Sequence, residues 1–229
     1  MPANSKLKIG DKVMVDPRLY CRNCTRCKAS KTHACYSWGF RGLQGGGGGL
    51  SELVAVDESM CYVLPEVVDL KITALIEPLA VAMHAVKNSG VQELDFAEKD
   101  VLILGGGPIG LAVITVLRMK DVRRVFVSEP TAKRQVLNEE VADKVFDPVK
   151  ERVGDRCREL TGGEGVNVVF DCAGIISALK DGMDALCHGG IYVNVAAWVA
   201  PVSTSPFLDP KFASWLPHGG QANVKITLS

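Results

Sequence analysis

The sequence has no run of apolar residues approaching the ~20 needed to cross a bilayer, and Met1–Ile9 lacks the apolar centre of a secretory leader. A cytoplasmic location and no membrane partner are therefore expected. Net charge is also missing, with 26 Lys and Arg against 26 Asp and Glu, which argues against a general affinity for nucleic acid or an anionic surface. Nor do the cysteines form a disulfide-like framework. Four of the eight crowd into one polar stretch and four are scattered through apolar surroundings, a distribution that suits metal binding in a reducing compartment. What remains is a chain of 229 residues, 47% hydrophobic, enough for one large globular domain or two small ones.

The crowded cysteines are Cys21, Cys24, Cys27 and Cys35, spaced C-x2-C-x2-C-x7-C with Arg, Asn, Lys, Ser and Thr between them. Four thiolates on a short solvated loop close a tetrahedral shell around Zn2+ and leave no position open for substrate, so the expected site is structural. Two other readings compete: unliganded thiols, and a nucleic-acid contact through Arg18, Arg22, Arg26, Lys28 and Lys31. The second lacks a following histidine pair, a recognition helix and an aromatic platform, which leaves the charges as a solvated face. The five glycines Gly45–Gly49 are not followed by Lys-Ser or Lys-Thr, so they read as a flexible loop leading into a strand over Leu53–Val56 rather than as a phosphate loop.

Val101–Leu104 is a fully apolar run that enters Gly105-Gly106-Gly107-Pro108-Ile109-Gly110. This is strand, Gly-x-Gly-x-x-Gly turn and helix in succession. Gly105 permits the tight turn, Gly107 lets backbone approach a pyrophosphate, and Gly110 lets the helix, expected over Ile109–Met119, pack against the strand. The opening of that helix would aim unsatisfied N–H groups at the phosphates. A second strand, Arg124–Ser128, ends at Glu129, at the offset where a carboxylate accepts from a ribose hydroxyl. A carboxylate there repels a 2′-phosphate, so NAD is expected over NADP, a preference tempered by Lys133 and Arg134. The competing reading of Glu129 is a charge stabilised by a helix N-terminus.

Alternation then continues: helix Thr131–Ala142, strand Lys144–Phe146, helix Val149–Thr161, strand Val166–Asp171, helix Ile175–Leu186, strand Ile191–Val195. This pattern predicts an α/β doubly wound parallel sheet of the Rossmann kind, with ligands at the carboxyl ends of its strands. Asp171-Cys172-Ala173-Gly174 falls at such an end, where small residues admit a cofactor ring, and Cys172 reads as a packed residue rather than a nucleophile. From Ala200 to Gly220 no periodicity is visible, and Val224–Leu228 makes a last strand. Upstream, Gly10-Asp11 turns into a short strand at Lys12–Val15. A helix starts near Pro78, with Glu77 at its N-terminus as either an end charge or a group aimed into a cleft. His84 reads as a packed core residue.

Five stretches fall in one order: the four cysteines, Gly-Gly-Gly with Leu50-Ser51-Glu52, Glu77-Pro78-Leu79-Ala80-Val81, the glycine turn, and Phe170-Asp171-Cys172-Ala173-Gly174. Together they resemble the zinc-containing medium-chain alcohol dehydrogenases, most closely the sorbitol and 2,3-butanediol dehydrogenase branch. The resemblance implies residues 1–76 as part of a β-rich, GroES-like catalytic domain with its zinc lobe at about 18–37. It implies residues 77–229 as the NAD-binding domain with an irregular tail. Cys21, Cys24, Cys27 and Cys35 would hold structural zinc. Gly105, Gly107, Pro108, Ile109, Gly110, Glu129 and Arg134 would form the NAD site, and Glu77 would stand beside a catalytic zinc as ligand or supporting group. The implied substrate is an alcohol or polyol, and a homo-oligomer is implied too. In the family the remaining catalytic-zinc ligands, a cysteine and a His-Glu pair, lie upstream of the Gly-Asp strand, where this sequence has only Met1–Lys8. The family's segment after the nucleotide domain is mostly absent as well. Two expectations follow: a polyol dehydrogenase that is inactive as these 229 residues, or a non-catalytic NAD- and zinc-binding sensor or interaction module.

Overall fold

The computed structural model describes residues 5–43, 47–91, 93–198 and 223–225, and the chain divides into two compact units, Met1–Glu77 and Pro78–Ser229. The first unit has four short strands, β1 (Val13–Val15), β2 (Arg18–Leu19), β3 (Gly39–Phe40) and β4 (Cys61–Val63), joined as the antiparallel pairs β1–β4 and β2–β3. Its described residues also include two four-residue helices, α1 (Thr25–Lys28) and α2 (Leu70–Thr73). Little of this unit is buried. Cys35 and Met60 are its only buried hydrophobic residues among those described, while Leu50, Leu53 and Val67 stand almost fully exposed. Leu53–Val56 is not the strand that its pattern predicts: it has no partner strand among the described residues. A strand exists through its ladder of paired N–H and C=O groups, and an apolar run without a partner cannot make one.

Helix α3 (Ile76–Asn88) carries Glu77 and Pro78 in its first turn, where proline costs no hydrogen bond. His84 on this helix is exposed, which corrects the expectation of a packed histidine, and its Nε2 lies 2.6 Å from Asn88 Nδ2 one turn on. The reason lies in the register: Ala82, Ala85 and Val86 face inward, which turns position 84 to the outer face.

Downstream, strands and helices alternate as β5 (Asp100–Leu104), α4 (Pro108–Arg118), β6 (Arg124–Ser128), α5 (Ala132–Glu139), β7 (Lys144–Phe146), α6 (Val153–Leu160), β8 (Val166–Asp171), α7 (Ile176–Ala185), β9 (Leu186–Asn194) and β10 (Asn223–Lys225). The six strands form one parallel sheet in the order β10-β9-β8-β5-β6-β7. Right-handed crossovers require this kind of winding. The order reverses between β5 and β8, which places a crevice at their carboxyl ends. The apolar run of β5 is continuous because both of its faces are covered. Val101 and Ile103 pack on one side with Val86, Val113, Leu117 and Val127. Leu102 and Leu104 pack on the other with Phe126, Phe146, Val169 and Tyr192.

Three boundaries shift by three residues or more from the sequence expectation. Helix α6 starts at Val153 rather than Val149, because Asp147 accepts the N–H of Val149 at 3.0 Å and holds a turn there. Helix α5 ends at Glu139, three residues early. Strand β9 begins at Leu186 rather than Ile191, with a register break between the pairs Val166↔Leu186 and Val168↔Ile191 that the left-handed Gly189 accommodates. The expected irregular stretch Ala200–Gly220 lies outside the described residues, as do residues 226–228 of the expected last strand.

At the amino end of the sheet, Asp100 is buried and closes the edge. Arg124 reaches it through Nε at 2.8 Å and a second nitrogen at 2.6 Å, and Arg123 adds an Nε contact at 2.9 Å. Burial alone would raise this carboxyl, but the hydrogen bonds from Arg124 and then Arg123 outweigh it and hold the pKa below the usual carboxylate value.

Candidate cofactor and metal sites

The four clustered cysteines converge. The Sγ atoms of Cys21, Cys24, Cys27 and Cys35 all lie within 4.8 Å of one another. A tetrahedral ion with Zn–S bonds of about 2.3 Å separates its sulfurs by about 3.8 Å, so only a small contraction closes the shell. The backbone is arranged for thiolates: Cys21 N–H donates to Cys35 Sγ at 3.3 Å, Cys24 N–H to Cys21 Sγ at 3.4 Å, and Ser37 N–H to Cys35 Sγ at 3.3 Å. The Cys27 N–H points at Cys24 and lowers that thiol to about 6, with a second N–H from Tyr36 adding to it. A softened thiol within a tetrahedral donor set fits zinc and gives no open position for a substrate oxygen. Among the described residues this is the single group of three or more side chains that could hold a metal. Glu77 is exposed in the first turn of α3. It stands there with no hydrogen bond or ion pair to another described residue.

The glycine turn is built from the end of β5. Gly105 sits at φ +90°, in left-handed space, and its N–H donates to Ser128 O at 2.9 Å. A Cβ on Gly110 would lie 2.1 Å from Gly105 O, so the helix can start this close to the strand only with glycine there. Gly107 caps α4 with no side-chain bond, Pro108 occupies the first helical position, and Leu111 N–H is the first to close onto Gly107 O, at 2.9 Å. The N–H groups of Ile109 and Gly110 therefore fall in the unsatisfied first turn, next to the Gly107 N–H. That end of α4 is suited to a phosphate.

Glu129 follows β6 and is 2% exposed. Its Oε2 accepts from Gly106 N–H at 2.9 Å and its Oε1 from Thr131 N–H at 2.9 Å. An ionised carboxylate has about four lone-pair sites, so two further acceptor positions remain. Arg134, half exposed on α5, lies over the same place: one of its terminal nitrogens is 3.9 Å from Glu129 Oε2 and would be 3.5 Å from a Cβ on Gly107. The residues expected from the sequence, Gly105, Gly107, Pro108, Ile109, Gly110, Glu129 and Arg134, are thus brought to one place at the carboxyl edge of the sheet. Glu77 belongs to the other unit.

The β8 end lies alongside. Cys172 N–H donates to Leu104 O at 2.9 Å, and Ala173 would touch a Cβ on Gly105 at 3.3 Å. Burial pushes the Cys172 thiol above its ordinary range, as suits a packed residue rather than a nucleophile. Asp171 fixes this corner, accepting from Tyr192 Oη at 2.8 Å and from the N–H groups of Ala173 and Gly174 at 2.9 and 3.0 Å. Sequence reasoning missed Tyr192, and it missed Asn138, whose fully buried amide touches the glycine turn. Sequence offered no signal for Asn138, because an asparagine in the last turn of a helix, as here, is ordinary.

Two family models match the chain in succession, the alcohol dehydrogenase GroES-like domain over residues 1–66 and the zinc-binding dehydrogenase over residues 108–213. A probable diacetyl reductase ((R)-acetoin forming) of Saccharomyces cerevisiae is 36% identical over 86% of this chain and 51% of its own length. The crystal structure of 2R,3R-butanediol dehydrogenase from Bacillus subtilis superposes with a TM-score of 0.77 at 30% identity, over 97% of this chain and 59% of that one. A putative zinc-binding dehydrogenase from Sinorhizobium meliloti, solved bound to NADP, superposes with a TM-score of 0.78 at 29% identity, over 88% of this chain and 59% of that one. The chain spans about half the length of the curated relatives it matches.

Proposed function

From the premise that the chain belongs to the zinc-dependent medium-chain alcohol and polyol dehydrogenases, we propose that it serves an NAD-dependent oxidation of a secondary alcohol. The substrate class is a vicinal diol or polyol. The observation that carries this reading is the phosphate-ready start of α4 beside the Glu129 carboxylate, at the point where the sheet order reverses. NAD, when bound, supplies the hydride acceptor. The first-turn N–H groups of α4 take the pyrophosphate. Glu129 would hold a ribose hydroxyl on its unused lone pairs, with Arg134 beside it at 3.9 Å. A 2′-phosphate would meet the Glu129 charge, which favours NAD over NADP. Cys21, Cys24, Cys27 and Cys35 hold a zinc that fixes their loop. The protein acts in the cytoplasm, as a homo-oligomer.

Turnover needs more. A catalytic zinc takes three protein ligands and an open position, and Glu77 has no companion ligand among the described residues. With the described residues alone, the chain would bind NADH weakly and not oxidise alcohols, which is the second reading, an NAD- and zinc-binding module. Titration with NADH, followed by nicotinamide fluorescence and competed with ADP-ribose, tests the binding. No saturable binding would sink the reading. Zinc-dependent NADH production from 2,3-butanediol or sorbitol would instead show that a catalytic site is completed by residues other than those named here.

A further inference from the structure

Asn138 lies in the last turn of α5, one residue before its end, with its side chain fully buried. Its Nδ2 donates twice, to Gly106 O at 2.9 Å and to Arg134 O at 2.7 Å. Both acceptors are carbonyl oxygens, which fixes the orientation of the amide and uses both of its hydrogens. The other end of the amide, Oδ1, is buried and has no hydrogen-bond partner among the described residues. A buried acceptor left unpaired is costly, so an asparagine in this place is explained by what Nδ2 joins.

Nδ2 joins the centre of the glycine turn to the helix that carries Arg134. The Gly106 peptide groups are held from both sides: the N–H by Glu129 Oε2 at 2.9 Å and the C=O by Asn138. With Gly106 fixed, the next N–H groups, those of Gly107 and Ile109, are fixed in direction too. The same amide explains why residue 106 is glycine. A Cβ there would lie 2.3 Å from Asn138 Nδ2 and 2.7 Å from its Cγ, although Gly106, unlike Gly105, is not held in the left-handed region. The glycine at 106 answers to Asn138, whereas the one at 105 answers to its positive φ.

We propose that Asn138 is a positioning residue of the dinucleotide site. It sets the pyrophosphate-facing N–H groups of the turn and keeps Arg134 and Glu129 in register with them, and it makes glycine obligatory at position 106. The inference rests on the reading of the turn as an NAD site and adds to it a residue that touches no part of the ligand.

A double-mutant cycle tests it, with NADH and ADP-ribose affinity read for the wild type, Asn138→Ala, Gly106→Ala and the double variant. Asn138→Ala releases the Gly106 carbonyl, and the ligand must then order the turn itself. Losing one buried hydrogen bond corresponds to a loss in affinity of about tenfold. Adenosine, which carries no pyrophosphate, loses less than threefold, and that difference is something a merely structural role would not produce. Gly106→Ala alone weakens NADH binding more than Asn138→Ala does. In the double variant the methyl group occupies the space left by the amide, and NADH binds more tightly than to Gly106→Ala alone. Absence of that rescue, or equal losses for ADP-ribose and adenosine, overturns the proposal while leaving the NAD site standing. No NADH binding by the wild type overturns both. If Gly106→Ala does not fold, the comparison of ADP-ribose with adenosine in Asn138→Ala decides alone.

Discussion

Two glycines of the turn, Gly110 and Gly107, are required for different reasons, and substituting each by alanine separates folding from binding. At Gly110 the added Cβ would sit 2.1 Å from Gly105 O and 3.3 Å from Ile103 Cγ2. Ordinary contact begins near 3.4 Å, so the start of α4 has to back away from β5 by about 1.3 Å. Neither neighbour can yield alone: one is backbone held in left-handed space by the Gly105 N–H bond to Ser128 O, and the other is a fully buried strand residue. Overpacking of this kind costs about 1–3 kcal/mol. Alanine recovers at most about 1 kcal/mol through helix propensity, and less in a first turn. The net loss of about 1–2 kcal/mol lowers the Tm of a unit this size by roughly 2–8 °C, and the displaced helix end loses its aim at the phosphates. At Gly107 the nearest atom to an added Cβ is the tip of Arg134 at 3.5 Å, an ordinary contact with a half-exposed side chain. Gly107→Ala therefore melts within a few degrees of the wild type, yet binds NADH weakly, because the methyl stands where a pyrophosphate approaches. Thermal denaturation and NADH titration on both variants measure this. A Gly110→Ala protein with unchanged Tm and affinity, or a Gly107→Ala protein with unchanged affinity, would refute the reasoning.

Metal analysis should find one zinc per chain, and Cys24→Ser should lose it while NADH binding by residues 105–134 persists, since those residues lie in the other unit. The lobe itself should lose amide protection when zinc is chelated, because Cys35 is the single buried residue between Cys21 and Trp38 and α1 is only four residues long. Replacing Asp100 by Asn should destabilise the second unit by about 2 kcal/mol in urea denaturation, less than a fully buried ion pair because Arg123 and Arg124 are partly solvated. The native pKa of Asp100 is lowered, so its contribution is complete above the unfolded value near 3.8 and is lost as pH falls through the lower native value. An acid-unfolding curve that is unchanged by the substitution would contradict this. Tyr192→Phe leaves Asp171 Oδ2 without its donor and should cost about 1–2 kcal/mol. Burial, with Asp171 adding to it, raises the Tyr192 pKa well above its ordinary value, so the wild type should lose stability above pH ~10, where only the unfolded tyrosine ionises; the variant should lose that part of the pH dependence.

The sheet was legible because a strand covered on both faces is mostly apolar, as Val101–Leu104 is throughout, and because Arg124–Ser128, Lys144–Phe146 and Val166–Asp171 carry apolar centres bounded by residues that end a strand. The first unit was less legible for the opposite reason. Its strands are two or three residues long and its apolar side chains are mostly exposed, so the run at Leu53–Val56 carried the same signal as a real strand without a partner to make it one. Position 84 was misread because neighbouring alanines and valines say that a helix has a buried face but leave its rotation open by one residue. Side chains that act at a distance in sequence were the least visible. The Gly-x-Gly-x-x-Gly spacing identified three glycines through backbone geometry, which is local, whereas Gly106 is fixed by an amide 32 positions away. Glu129 shows both kinds of requirement in one residue. Its place after β6 could be read from spacing, but its two bonds to Gly106 and Thr131 N–H groups could not. Those bonds give the carboxylate a task besides ligand binding, since it holds the turn in the shape that a dinucleotide meets. The turn is therefore preorganised by the group expected to bind the ribose, and a ligand that engages the remaining lone pairs of Glu129 strengthens an arrangement already formed.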